Sequence, residues 1–214
     1  MNRQIAALLL LSGLPAIVAC NVARGLSELL PATAGRRFDR PADDELVLGS
    51  TGEAQVLERF GRPFREGTGL SNDCVIRTLT YTYASSLKSA HASGATSARS
   101  ANFDFHENSL VSYVFSSSME KDHTDFDETI VGQIGKGESR EEDVLCLFGR
   151  PSGRAIFPVT GEAGDHLLIY SYTQVRVVPR LFGPRTVVHT KHLRVTIDRE
   201  GWVKDVHYSM SGEK

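Results

Sequence analysis

The chain has few of the residues that would commit it to a special class of fold. Among its 214 residues there are 3 cysteines and 1 tryptophan, and so few cysteines exclude a fold held together by disulfides. The formal net charge of −2 argues against a general nucleic-acid binder. No uninterrupted apolar run reaches the roughly 20 residues of a membrane-spanning helix. The apolar fraction of 41% and the charged fraction of 23% are typical of a folded soluble protein.

The first twenty residues have the pattern of a secretory signal. Arg3 precedes the short apolar run 5–11, which small residues then interrupt. Residues 17–20 read Ile-Val-Ala-Cys, which resembles the lipobox of bacterial lipoproteins. The resemblance implies cleavage after Ala19 and acylation of Cys20, and two or three acyl chains give the stable anchoring that one does not.

The residue after the cysteine indicates which membrane would hold the lipoprotein. Asn21 stands where an aspartate would retain better-studied lipoproteins at the inner membrane, so the resemblance implies the outer membrane. We expect a signal peptide over 1–19 and a lipidated tether over 20–46, because the tether is rich in proline, glycine and mixed charges. An N-terminal subdomain over 21–46 is the alternative.

Two parts of the chain resemble each other. The stretches 49–63 and 137–151 align without gaps and share Gly49/Gly137, Glu53/Glu141, Val56/Val144, Leu57/Leu145, Phe60/Phe148, Gly61/Gly149, Arg62/Arg150 and Pro63/Pro151. Chance gives about one match over such a window. The similarity continues from 79–83 to 168–172 and from 103–108 to 195–200. A repeat of about 90 residues indicates a duplicated domain rather than a solenoid.

Each copy is predicted to begin with a short helix. Thr51 or Ser139 would cap it, and Ser139 with Glu142 matches a capping box. Gly61 and Gly149 suit the C-terminal end. The apolar face of the helix would carry Val56, Leu57, Phe60, Val144, Leu145 and Phe148. Phe60 and Phe148 are therefore predicted to be core residues.

Alternating residues after each helix predict antiparallel strands. The predicted fold class is α+β, with two tandem repeats that each pack an N-terminal helix on a small antiparallel β-sheet. Repeat 1 would span 47–120, a solvated linker 121–133, and repeat 2 134–214. The Ser/Ala-rich stretch 84–101 is predicted to be a flexible loop within repeat 1.

This pattern resembles the SmpA/OmlA family of outer-membrane lipoproteins, which includes BamE-like proteins. The resemblance rests on the helix with its Phe-Gly-Arg-Pro ending, over 48–119 and again over 134–210. It implies a role in envelope assembly or maintenance, although BamE-like proteins usually carry one such unit. The pattern is also similar to the β-lactamase inhibitor protein fold, which implies a concave sheet that grips an enzyme, with tyrosines of the strands as anchors.

Catalytic and metal-binding motifs are not found. The chain has neither a nucleophile elbow nor a P-loop nor a dinucleotide fingerprint. His189 and His192 are three residues apart on a predicted strand and would point to opposite faces, so no metal site is expected there. Residues 120–128 could hold Ca²⁺ weakly, but a solvated linker explains their acidic residues better. We therefore predict a protein that is not an enzyme and has no cofactor or metal.

Two further features are candidate sites. Cys74 and Cys146 could form a disulfide in an oxidising periplasm, or both could be buried free thiols. A predicted hairpin places an apolar tip between basic residues that could contact anionic lipid or an acidic partner: Arg176, Arg180, Leu181, Phe182 and Arg185. The tip could equally fold back onto its own sheet.

Together these features predict a lipid-anchored protein on the periplasmic side of the outer membrane. It would act as a protein-interaction or envelope-assembly module whose partner is another envelope protein, and it would not bind nucleic acid. The alternative is a tethered inhibitor of an envelope or extracellular hydrolase.

Overall fold

The computed structural model describes residues 32–42, 44–86, 95–178 and 185–212. In these ranges the α-helices are α1 (Glu53–Phe60) and α2 (Glu141–Phe148), and a 3-10 helix covers Glu128–Gln133. The strands are β1 (Ala32–Gly35), β2 (Arg65–Ser71), β3 (Cys74–Ser86), β4 (Ala95–His106), β5 (Ser109–Ser117), β6 (Gly153–Ile156), β7 (His166–Val178), β8 (Arg185–Ile197) and β9 (Val203–Ser211).

All nine strands belong to one antiparallel sheet. Its order is β1, β3, β4, β5, β6, β7, β8 and β9, and β2 pairs with β3 on the same edge as β1. The centre is joined by β5 with β6 and by β4 with β7. The predicted fold class is therefore wrong, because the chain is mostly strand and forms one nine-stranded sheet instead of two helix-on-sheet repeats.

A glycine at the central junction explains why the sheet continues through it. Gly153 in β6 lies opposite Val114 in β5. A Cβ atom at Gly153 would stand 2.2 Å from the carbonyl oxygen of Tyr113, so only glycine allows the two backbones to come this close.

The helices end as the sequence predicts but begin differently. Gly61 and Gly149 end them with φ values of 74° and 68°, which glycine adopts without a steric cost. Thr51 and Ser139 do not cap them, because their hydroxyls accept the N–H groups of Val47 and Gly135 instead. The N-cap residues lie one position later, at Gly52 and Arg140, whose N–H groups bond to the side chains of Gln55 and Asp143.

Both helices lie against the same face of the sheet. Val56 and Phe60 of α1 pack on Leu79, Tyr81 and Phe103. Val144 of α2 packs on Leu168, Tyr170, Leu193 and Val195. Phe60 is confirmed as a core residue, whereas Phe148 is only partly buried at the edge of its cluster.

Segments assigned to a tether and a linker contribute to this core. Phe38 and Leu46 are buried in the cluster under α1, and Phe126 and Ile134 are buried in the cluster under α2. Each of the two phenylalanines contacts the aromatic rings around its helix. The described residues around Phe38 and Leu46, and the segment from Asp122 to Ile134, are thus packed parts of the fold.

A buried cation holds each of these segments. Arg99 on β4 donates to the carbonyl oxygen of Phe38 at 2.7 Å and pairs with Asp122 at 2.9 Å. Lys191 on β8 donates to the carbonyl oxygen of Phe126 at 2.5 Å and pairs with Glu128 at 2.8 Å. Burial alone would lower the pKa of Lys191, but hydrogen bonds to Asp125 and Glu128 raise it above its ordinary value. Breaking such a buried pair costs about 3–5 kcal/mol.

The Ser/Ala-rich stretch is largely strand, contrary to the prediction of a loop over 84–101. β3 runs on to Ser86 and β4 begins at Ala95, which leaves 87–94 outside the described residues. In the described ranges, no helix has the length and apolar character to cross a membrane.

Candidate protein-binding face

The sheet has a second face, which points away from both helices and which we call the open face. Side chains alternate between the faces of a strand, so the residues that flank the core positions on each strand lie here. Its central members are Thr78, Thr80, Thr82, Ser100, Asn102, Asp104, Ser112, Val114, Ser116, Ile169, Ser171, Thr173, Thr190, His192 and Arg194. Most carry a hydroxyl group, and the charged members are Asp104 and Arg194.

Hydrogen bonds between neighbouring strands order these small side chains. Thr78 donates to Asp104 at 2.6 Å and Thr80 donates to Asn102 at 2.9 Å. On the other half of the face, the Ser171 hydroxyl lies 3.0 Å from Nδ1 of His192. Desolvation by the neighbouring residues lowers the pKa of His192 below its ordinary value.

One buried hydroxyl on this face has no partner. Ser116 is 5% exposed, and its Oγ atom forms no hydrogen bond. A buried polar atom without a partner costs about 1–3 kcal/mol.

A loop covers part of the face near β6 and β7. Val159 in this loop packs over Ala155, Leu167 and Ile169. The turn between β2 and β3 fixes the loop, since the Asn72 side chain donates to the carbonyl oxygens of residues 158 and 160 at 2.9 and 2.6 Å. The open-face residues of β3, β4 and β8 are not part of this apolar cluster.

The strand tyrosines lie on the opposite side from this face. Tyr81 and Tyr170 are each 3% exposed. Their hydroxyls donate to the carbonyl oxygens of Gly61 at 2.8 Å and Gly149 at 3.0 Å. The proposal that strand tyrosines anchor a partner is therefore wrong for this pair, because they close the helix ends inside the core.

A cavity beside α2 is lined by several charged groups. It has a volume of about 560 Å³ and includes Glu141, Arg154, Phe157, Asp165 and His166. Glu141 pairs with Arg154 at 3.0 Å and with Nε2 of His166 at 2.9 Å. Burial would raise the pKa of Glu141, but these partners lower it below its ordinary value.

The chemistry of this cavity is limited. Its described lining residues include no serine, threonine, cysteine or lysine nucleophile, and the carboxylate of Glu141 is already paired. The group holds α2 against β6 and β7. In the described ranges, no cluster of three or more His, Cys, Asp or Glu side chains could hold a metal ion.

The candidate hairpin is formed by β7 and β8. Arg176 and Arg185 lie on it, with Val178 opposite Arg185, and Arg176 donates to the Gln174 side chain. The tip residues Arg180, Leu181 and Phe182 lie outside the described residues. The basic residues of this region do not form one patch, because Lys191 is buried on the helix side while Arg194 is exposed on the open face.

The remaining candidate residues are separate from one another. Cys74 and Cys146 are both free, Cys146 is exposed and Cys74 is half-buried. Neither a disulfide between them nor a pair of buried thiols is present. His189 is buried on the helix side, whereas His192 lies on the open face. The lipidation site Cys20 lies outside the described residues.

Comparisons with known proteins add little to these observations. No protein-family model matches the chain, and no curated protein matches it. Among solved structures, a candidate β-lactamase inhibitor protein from Streptococcus mutans is similar at 15% identity, over 88% of this chain and 96% of that chain, with a TM-score of 0.36. At that TM-score the functional argument rests on the chain's own residues, and the SmpA/OmlA resemblance stays a prediction.

Proposed function

We propose that the chain is a lipid-anchored protein-binding module of the bacterial envelope, held on the periplasmic side of the outer membrane, and that it binds its partner through the open face. The observation that carries the binding proposal is the scarcity of charge in the centre of that face. The whole sequence is 23% charged, yet the charged side chains in the centre of the face are Asp104 and Arg194.

The physical argument concerns what a partner must displace. Covering lysine or glutamate removes strongly hydrated charges from water and freezes long side chains. Serine and threonine lose little rotamer freedom, and here their partners already order several of them. Hydroxyl and amide groups also give adaptable hydrogen bonds in known binding surfaces. This face is therefore suited to binding another protein at a low ordering cost.

Photocrosslinking in living cells tests the binding face. A photoreactive amino acid would replace Thr80 in one variant and Thr173 in a second variant. In the matched control variant it would replace the exposed Glu58 on α1. We expect Thr80 and Thr173 to give the same adduct band, and Glu58 to give none. Adducts of equal strength from all three positions, or from Glu58 alone, would contradict the proposal.

The identity of the adduct then separates the two roles expected from the sequence. A barrel-assembly subunit would support envelope assembly, whereas a hydrolase or lytic enzyme would support a tethered inhibitor.

The anchor is tested separately at Cys20. Cys20→Ser should abolish acyl-chain labelling and leave an uncleaved or soluble chain, because serine offers no thiol for the lipid. A mature chain that stays with the membrane fraction and still takes up label would remove the lipoprotein part of the proposal and leave the binding face untouched.

A further inference from the structure

The edge of the sheet at β2 is unusually exposed. In the described part of the chain β2 pairs with β3 alone, and nearly all of its residues are exposed. The most exposed large apolar side chains are here: Leu70 is 76% exposed, and Phe64, just before the strand, is 73% exposed. Val75, directly opposite Leu70, is 57% exposed.

Among the described residues, this edge has backbone groups that do not pair with β3. The turn between β2 and β3 has two residues, so Ser71 and Cys74 form a hydrogen-bonded pair, and such pairs alternate along an antiparallel ladder. Gly69 and Gly67 therefore bond to β3, while Leu70, Thr68 and Glu66 direct their N–H and C=O groups outward. Natural proteins protect such edges with lysine, proline or a bulge, and the sequence of β2 contains no lysine or proline.

The opposite edge of the sheet differs. Lys204, Asp205 and His207 place exposed polar and charged groups along β9, which is the usual way to discourage strand addition. The apolar side chain that β9 exposes is Met210, at 50%.

We propose that β2 pairs antiparallel with β2 of a second copy of this chain, centred on Gly67. In this register Phe64 stands opposite Leu70 of the partner subunit, and the same contact forms twice by symmetry. Arg65 stands opposite Gly69 of the partner subunit and Glu66 opposite Thr68 of the partner subunit, so no like charges meet.

The neighbouring register fits less well. Centring on Thr68 would place Leu70 opposite Glu66 of the partner subunit and Phe64 opposite Asn72 of the partner subunit. Both apolar side chains would then face polar groups, which favours the register centred on Gly67. The dimer uses the sheet edge and does not depend on the open face.

Cysteine crosslinking tests this register with a matched pair of variants. A Cβ atom at Gly67 or at Gly69 meets nothing within 4 Å, so Gly67→Cys and Gly69→Cys should both fold. Both would be made in the full chain with Cys74→Ser and Cys146→Ser. In the proposed dimer the two Gly67 Cα atoms are about 4.5–5.5 Å apart, whereas the two Gly69 Cα atoms are separated by about 13 Å along the strands.

Mild oxidation should therefore give at least about tenfold more disulfide-linked dimer from Gly67→Cys than from Gly69→Cys, because a disulfide needs Cα atoms within about 7 Å. Equal yields, a higher yield from Gly69→Cys, no dimer from either, or an adduct of Gly67→Cys with a different protein would each overturn the proposal.

Sedimentation of the unlinked chain gives a second measurement. Leu70→Lys should convert the dimer to monomer, because it places a charge against Phe64 of the partner subunit. Met210→Lys, the same kind of change on the other edge, should leave the dimer intact. A wild-type chain that stays monomeric at every soluble concentration, or equal effects of the two variants, would overturn the proposal.

Discussion

Replacing Phe60 by alanine should lower the free energy of unfolding by about 3–5 kcal/mol, the range for a buried phenylalanine. Phe60 is 2% exposed. Its ring centroid lies 4.9 Å from that of Phe103, 5.6 Å from that of Tyr81 and 6.1 Å from that of Phe38. Because these three rings surround it and belong to three different segments of the chain, the cavity left by alanine cannot easily collapse.

Replacing the matching residue Phe148 by alanine should lower the free energy of unfolding by less. It is partly exposed and has two ring neighbours, Tyr170 at 5.3 Å and Phe126 at 6.1 Å. Phe148→Ala should therefore lower the free energy of unfolding by about 2–3 kcal/mol, since part of the ring is already in water. Met210, which is 50% exposed and lies on the edge away from the proposed dimer contact, is the control, and Met210→Ala should change the free energy of unfolding by less than about 0.5 kcal/mol.

Urea unfolding followed by far-UV circular dichroism measures all three variants. The slope against urea should stay unchanged while the midpoint falls, which identifies a change in stability. A loss from Phe148→Ala equal to or greater than that from Phe60→Ala would refute the argument from burial. A loss above about 1 kcal/mol from Met210→Ala would refute it as well.

The helices could be predicted from local sequence because each signal lies within a few residues. The apolar spacing and the Gly-Arg-Pro ending mark residues 53–60 and 141–148, and the structure has helices there. The caps were missed because Thr51 and Ser139 bond backwards along the chain. That choice depends on where the preceding turn lies, which the spacing of residues does not reveal.

The alternation of threonine and tyrosine in β3 predicts two faces but does not identify the inner one. The tyrosine hydroxyls identify the inner face, because those of Tyr81 and Tyr170 donate to the carbonyl oxygens of Gly61 and Gly149 at the helix ends. The threonines then define the open face. Burying the larger ring is also the more favourable choice, so this part of the site could have been predicted.

The joining of the strands into one sheet could not be predicted from the repeat. A repeated pattern indicates that two segments fold alike, but it does not specify which strands lie side by side between them. Here the connection between the two halves of the sheet depends on the close approach of Gly153 to the backbone of Tyr113 and on the pairing of β4 with β7. Both are contacts between residues far apart in sequence, which only the folded chain brings together.

The remaining predictions concern the junction, the thiols and pH. Gly153→Ala should lower the midpoint of urea unfolding, because its Cβ would meet the carbonyl oxygen of Tyr113 at 2.2 Å; an unchanged midpoint would mean that the junction is not tight. Mass spectrometry of the non-reduced chain should find Cys74 and Cys146 as free thiols, and a thiol reagent should label the exposed Cys146 first; a linked peptide pair would contradict this. Burial raises the pKa of Tyr81 from 10.0 to about 12 and also raises the pKa of Tyr170. Both groups are protonated in the folded and the unfolded chain below pH 10, so their contribution to stability is then fully present. Above pH 10 the unfolded chain loses these protons first, and stability should fall as the pH approaches 12. Absorbance at the tyrosinate band should therefore rise in two steps, with the second step coinciding with the loss of circular dichroism. A single step near pH 10 in a chain that stays folded would show that these two hydroxyls are not held inside the core.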